Sequence, residues 1–172
     1  SDTEVTEGFL DEMLRVLYAH PSHGCVCPRS SNATIATVPL IPKDPIDERD
    51  HTYAYQVFNQ IKSLLPSYSI APVSMGYCIL IKRDLISRFG LFDEVYGLGY
   101  GEENDFCLRI NAHGYSSLIA NHAFVYHFES RSFTSKRRLE LVAKNEKILL
   151  ARYPFYHLWV ERYVNRQIHP VD

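Results

Sequence analysis

Three carboxylates, Glu102, Glu103 and Asp105, follow the turn Gly99-Tyr100-Gly101 at the point where a helical pattern begins. Glycines there let the backbone approach a ligand, and acidic side chains in a first helical turn complement the positive end of the helix dipole. Such a cluster is either a solvated helix cap or an acid/base site, and residue types alone leave both open. Three more polar features stand out: Asp2 ahead of the first helix, Ser74-Met75-Gly76 in an apolar run, and His127 near the end of another. In open α/β sheets ligands bind beyond the carboxyl ends of strands, so features at such junctions are better candidates than features within helices. Ser74, Met75 and Gly76 could line a pocket, because a strand glycine marks close approach; plain packing is the equal alternative. Asp105 and Arg109, four residues apart on one helix, read as a structural ion pair.

The elements that must position these residues show in the apolar spacing. Phe9, Leu10, Met13, Leu14 and Leu17 predict a helix from Thr6 to Ala19, ended by His20-Pro21. Gly24 to Cys27 reads as a short buried strand, and Arg29 to Asp44 as an ordered surface loop. Asp47 is suited to cap a second helix whose apolar face is Ala54, Val57, Phe58, Ile61, Leu64 and Leu65, before Pro66. Val73 to Ile81 is almost continuously apolar, which predicts a central strand covered on both faces. Arg83 to Phe89 predicts a short helix stopped by Gly90, and Glu102 to Ala112 a longer one closed by Gly114. Tyr115 to Ala120 and Ala123 to Phe128 read as two strands divided by Asn121-His122, followed by a helix from Ser135 to Arg152 and an aromatic tail. Strands alternating with helices predict an α/β fold with a largely parallel sheet.

Composition narrows the function classes. A chain of 172 residues is long enough to bury a real core, and a net charge of −2 lacks the basic excess that nucleic-acid binding favours. No apolar run approaches the roughly 18 residues of a membrane span, and no signal-like segment opens the chain. Cys25, Cys27, Cys78 and Cys107 fit neither paired zinc-ligand spacing nor a dense disulfide framework, so they predict buried free thiols in a reducing, cytoplasmic setting. Lys136-Arg137-Arg138 reads as a solvated helix face, or alternatively as a contact for phosphates or anionic lipid.

Several segments in order carry a resemblance: Ser74 to Ile81, Phe89-Gly90-Leu91-Phe92-Asp93-Glu94, Gly99 to Arg109, Ala112-His113-Gly114-Tyr115, and Val125-Tyr126-His127 with Ser130-Arg131-Ser132-Phe133. Together they resemble the second half of a family 2 glycosyltransferase, which has the GT-A fold. Ser1-Asp2-Thr3-Glu4-Val5 with Gly8-Phe9-Leu10 is similar to the segment that carries and follows that family's metal-binding Asp-x-Asp motif. The resemblance covers residues 1 to about 133, and residues 134–172 read as a helical extension of the same domain.

What the resemblance implies is inverting transfer of a sugar from a nucleotide sugar to a hydroxyl of a glycan or other acceptor. Asp2 and His127 would be ligands of a divalent metal, Mn²⁺ or Mg²⁺, that neutralises the leaving diphosphate. Glu103 matches the family's catalytic base, and its neighbour Glu102 would orient the acceptor or tune the base, since adjacent carboxylates raise one another's pKa; most relatives have Asp as base, and the extra methylene displaces the carboxylate by about 1.5 Å. Ser74, Met75, Gly76 and Gly101 would line the acceptor side, and Arg29, Asn32 and Thr34 are similar to a loop near the cleft. The first residue of the metal motif and the nucleotide-binding half would precede Ser1, by on the order of 90 residues. The fold expected is therefore a partial GT-A sheet with flanking helices, inactive alone and self-associating through an exposed sheet edge. Two other classes compete: a binding or scaffold module of the same fold, and a metal-dependent hydrolase using Asp2, Glu103 and His127 on water.

Overall fold

The computed structural model describes residues 2–38, 50–97, 99–128 and 135–168. Asp47, Leu98, Ser130 to Phe133 and the side chains of Lys136, Arg137 and Arg138 lie outside the described residues. The chain forms β1 (Thr3–Val5), α1 (Phe9–Tyr18), β2 (His23–Ser30), α2 (His51–Ile61), β3 (Tyr68–Ala71), β4 (Leu80–Ile81) and α3 (Arg83–Phe89). It continues through α4 (Glu102–Asn111), β5 (Ser116–His127), α5 (Ser135–Arg152) and α6 (Tyr156–Ile168), with single 3-10 turns at Lys62–Leu64 and Glu94–Tyr96. The result is an α/β protein whose five strands make one mixed, curled sheet, a half-barrel flanked by six helices.

β5 is the spine of that sheet. β2 runs parallel along one edge of it; the other edge is shared by β3, antiparallel to Ser117–Ala120, and β1, antiparallel to Val125–His127. β4 adds antiparallel to the far side of β2. The sheet is therefore mixed rather than largely parallel: β2 with β5 is the parallel pair, and the other pairings described are antiparallel. Strand and helix alternation fixes neither which strand is a neighbour nor its direction, and β1 finds its partner almost a whole chain length away.

The sequence pattern of β2 explains the layering. Successive strand side chains face opposite sides, so Val26 joins Met13, Val16 and Leu17 of α1, with Leu118 and Ala120, while Cys25 and Cys27 face α4 and its neighbours. A third cluster forms where Ala54 and Phe58 of α2 pack on Phe124 and Val38. α5 and α6 enter the α4-side core through Leu149, Ile148, Tyr156, Val160, Tyr163 and Val164.

Several boundaries differ from the sequence reading, each for a local reason. Thr3–Val5 pairs with β5, so α1 starts only at Phe9, after Gly8 in the left-handed region (φ 74°). Leu10 and Leu14, expected on its buried face, are 46% and 37% exposed. Asp50 is the described cap of α2, accepting from the Tyr53 amide at 2.9 Å, and Leu64 lies beyond that helix and is exposed.

The strand expected over Val73–Ile81 is reduced to Leu80–Ile81. The strand in that region is instead Tyr68–Ala71, set between Pro66 and Pro72. Past Pro72 a side chain takes over from the ladder: Ser74 Oγ donates to the Leu118 carbonyl (2.9 Å) and accepts from the Leu118 amide (3.1 Å). The two strands expected around Asn121-His122 are one, β5. Its register with β2 jumps from Pro28↔Ala120 to Arg29↔Phe124, so Asn121-His122-Ala123 form a bulge without ending the strand. Buried Asn121 fills it, accepting from Arg29 Nε (2.9 Å) and donating to the Pro66 carbonyl (3.0 Å) and Ser69 Oγ (2.9 Å). The aromatic tail is helical, as α6. All four cysteines are free thiols.

Candidate functional site

Beyond the carboxyl ends of the parallel pair β2 and β5 lies a cavity of about 600 Å³. Its lining includes Asp2, Met75, Gly76, Gly101, Glu102, Glu103 and His127, which are far apart in sequence. Ser74 does not line it; it is fully buried beneath, spent on the Leu118 backbone. Asp105 and Arg109 do not line it either. They pair at 3.0 Å, and buried Asp105 also accepts from Arg152 (2.8 Å) and from the Tyr96 hydroxyl (3.3 Å). Of the loop residues, Thr34 reaches the cavity, whereas Arg29 and Asn32 are buried.

The glycine-rich turn is conformationally demanding. Gly99, Tyr100 and Gly101 have φ of 121°, 69° and 123°, and Tyr100 is a non-glycine in a region side chains seldom adopt. A Cβ on Gly101 would also meet the Tyr96 ring at 3.2 Å. The turn is held from α5: Asn145, 1% exposed, donates from Nδ2 to the carbonyls of Tyr96 and Gly99, both at 2.7 Å.

This turn delivers Glu103 to the cavity, where its side chain lies against Gly76. A Cβ there would fall 3.0 Å from Glu103 Cγ, so glycine makes the room. Glu103 Oε2 accepts from the Gly101 amide at 3.3 Å. Burial first, and the charge of Glu102 second, push its carboxyl up to about 7 from 4.5, against backbone amides that pull it down. Helix-capping geometry and a basicity matched to neutral pH thus coexist in one side chain. Three acceptor atoms of lining residues, Glu102 Oε2, Asn104 Oδ1 and Asn145 Oδ1, are buried with no hydrogen-bond partner among the described residues. Buried acceptors left unpaired are costly, and their presence marks this wall as polar.

Asp2 and His127 meet on the same cavity, with Oδ2 and Nε2 3.6 Å apart. The imidazole is fixed by stacking on Tyr77 (centroids 5.0 Å apart) and by Nδ1, which donates to the Asn32 carbonyl at 2.7 Å. That bond fixes the ring orientation and turns Nε2 toward the carboxylate. A proton shared by the two atoms satisfies this contact, and so would a metal ion held between them. Among the described residues no cluster of three His, Cys, Asp or Glu forms a metal cage. The pair by itself would supply two ligands to a divalent ion, fewer than the roughly six such an ion takes.

The sequence reading missed the wall supplied by α5 and α6: Val142, Asn145, Leu149, Tyr156 and Val160, with the Glu146–His157 pair (3.0 Å) beside them. One signal was present. Asn145 falls among Leu141, Ile148 and Leu149 at helical spacing, and a polar residue on an apolar stripe needs partners. Compared with models of protein families, curated proteins and solved structures, the chain matches none.

Proposed function

We propose that the chain is the acceptor-side part of an inverting glycosyltransferase, with Glu103 as the base. The observation that carries this reading is a carboxyl with pKa raised to about 7 on the same cavity as the Asp2–His127 pair. The acceptor lies along the polar wall of Glu102, Asn104 and Asn145. Glu103 takes the proton of the attacking hydroxyl as its oxygen bonds to the anomeric carbon from the face opposite the diphosphate. The bond to the diphosphate oxygen breaks, the electron pair leaves with the nucleoside diphosphate, and configuration inverts. Asp2 and His127 would hold a divalent cation, Mn²⁺ or Mg²⁺, that neutralises charge on the diphosphate.

The test is transfer from nucleotide sugars to polyhydroxyl acceptors with Mn²⁺, using the full-length protein. Glu103→Gln is expected to lower turnover by about 10²- to 10⁴-fold with nucleotide affinity nearly unchanged. Turnover surviving that change overturns the base assignment, and hydrolysis without transfer selects the hydrolase reading.

A further inference from the structure

A second cavity, of about 410 Å³, lies under another face of α6, between that helix and the end of β3 with the start of β5. From this chemistry we infer a binding site for a phosphoryl group carried on a ring-bearing compound, held by Arg162 and Arg166 with the ring against Trp159. It stands independently of the transferase reading.

Trp159, Arg162, Tyr163 and Arg166 follow i, i+3, i+4, i+7 spacing, so they form one stripe of α6, and all four line the cavity. Among the described residues no carboxylate lines it. Among the described residues neither Arg162 nor Arg166 has a salt-bridge or hydrogen-bond partner, whereas Arg15, Arg109 and Arg152 are each paired with carboxylates. Two like charges at i, i+4 destabilise a helix by a few tenths of a kcal/mol, a cost that an anion between them removes. Planar guanidinium forks suit the oxygens of phosphate better than a point charge does.

Two further guanidinium groups strengthen the positive field. Arg88 donates to the Tyr115 hydroxyl and stacks over the Tyr115 ring at 5.4 Å, at the cavity wall. Buried Arg29, with Nη1 unpartnered and no carboxylate bonded to it among the described residues, lies within electrostatic range of the Tyr163 hydroxyl. That hydroxyl is itself buried without a hydrogen bond of acceptable geometry, Ser69 being in its vicinity. The half-exposed Trp159 indole and the Tyr163 ring give the site an apolar side, which a bare anion does not need and a sugar or base does.

Trp159 is the only tryptophan of the chain, so its fluorescence reports directly on this cavity. The probes are glucose 6-phosphate, inorganic phosphate, glucose, and sodium chloride at matched ionic strength. A saturable emission change is expected with glucose 6-phosphate at or below about 1 mM, weaker with phosphate and absent with glucose or chloride; Arg162→Gln/Arg166→Gln should weaken it at least about tenfold. Far-ultraviolet circular dichroism checks that this surface variant is folded. Vesicles of phosphatidylglycerol and of phosphatidylcholine form the second arm. A response to the anionic vesicles alone, lost in the double variant, assigns the phosphoryl group to a lipid headgroup instead of a soluble compound. The inference is overturned by no saturable change up to about 10 mM with no selective vesicle response, by an equal response to chloride, or by full affinity in the double variant. Equal binding of both vesicle types overturns it too, in favour of apolar insertion by the exposed Phe155 and Leu158.

Discussion

A glutamate in the first turn of a helix is ordinarily held as an anion, and Glu103 has that position with amide donors around it. Burial and the neighbouring Glu102 win nevertheless, raising its carboxyl from 4.5 to about 7. Two pH predictions follow from that sign. As a base it must be ionised, so transfer should rise about tenfold per pH unit below 7 and level off above. For folding, a raised carboxyl pKa favours the native state while the group is neutral. That contribution is complete below about 4.5 and is lost as pH climbs to about 7, on the order of 3 kcal/mol in all. Glu103→Gln stays neutral throughout, so in urea denaturation its stability advantage over the natural chain should widen between about pH 5 and about pH 8. A constant gap would mean that the carboxyl is not held as a buried acid. The resemblance pointed to Glu103 and the pair Asp2 and His127, and the adjacent Glu102 already predicted a raised carboxyl pKa; the larger cause, burial, was not legible. That depends on Gly76 from a distant segment and on Asn145 from α5, which no local pattern joins to residue 103.

At the scale of elements, the helices were the most legible part of the chain. α3, α4 and α5 fall close to their expected ranges, the first two because Gly90 and Gly114 with positive φ punctuate them. Strands were less legible, since an apolar run is equally consistent with a strand and with buried irregular chain. Ser74 to Ile79 is the instructive case. This segment crosses the core without joining a sheet ladder, and the Ser74 hydroxyl bonds to the amide and carbonyl of Leu118, a residue in register with Val26 and Ile70. Ser74→Ala removes both hydroxyl bonds at once from a fully buried position. A buried hydrogen bond contributes roughly 1 kcal/mol net, so a loss of about 2 kcal/mol is expected in urea denaturation. A change under about 0.5 kcal/mol would show that Leu118 finds other partners and that Ser74 is mere filler.

At the scale of the whole molecule, the question is whether α5 and α6 are an appendage or part of the fold. Polar bonds fasten α5 to the segments around α4: Asn145 holds the Tyr96 and Gly99 carbonyls, and Arg152 bridges Asp93 (2.9 Å) and Asp105 (2.8 Å). Apolar packing is the larger tie. Leu149, Ile148, Tyr153, Tyr156, Val160, Tyr163 and Val164 all belong to, or pack against, the core cluster that holds Cys25, Phe106 and Ile119. At roughly 1.5 kcal/mol for each of these side chains, their burial contributes about 10 kcal/mol, as much as the whole net stability of a typical domain. A chain ending at residue 134 should therefore lose its cooperative thermal transition and its near-ultraviolet circular dichroism while keeping some helical signal. α5 walls the first cavity through Asn145 and Leu149, and α6 walls both, with Tyr156 and Val160 toward one and Trp159 and Arg162 toward the other. If the shortened chain instead unfolds cooperatively, the sheet with α1 to α4 is the folding unit, and α5 with α6 is an addition that completes the cavities without holding the core together.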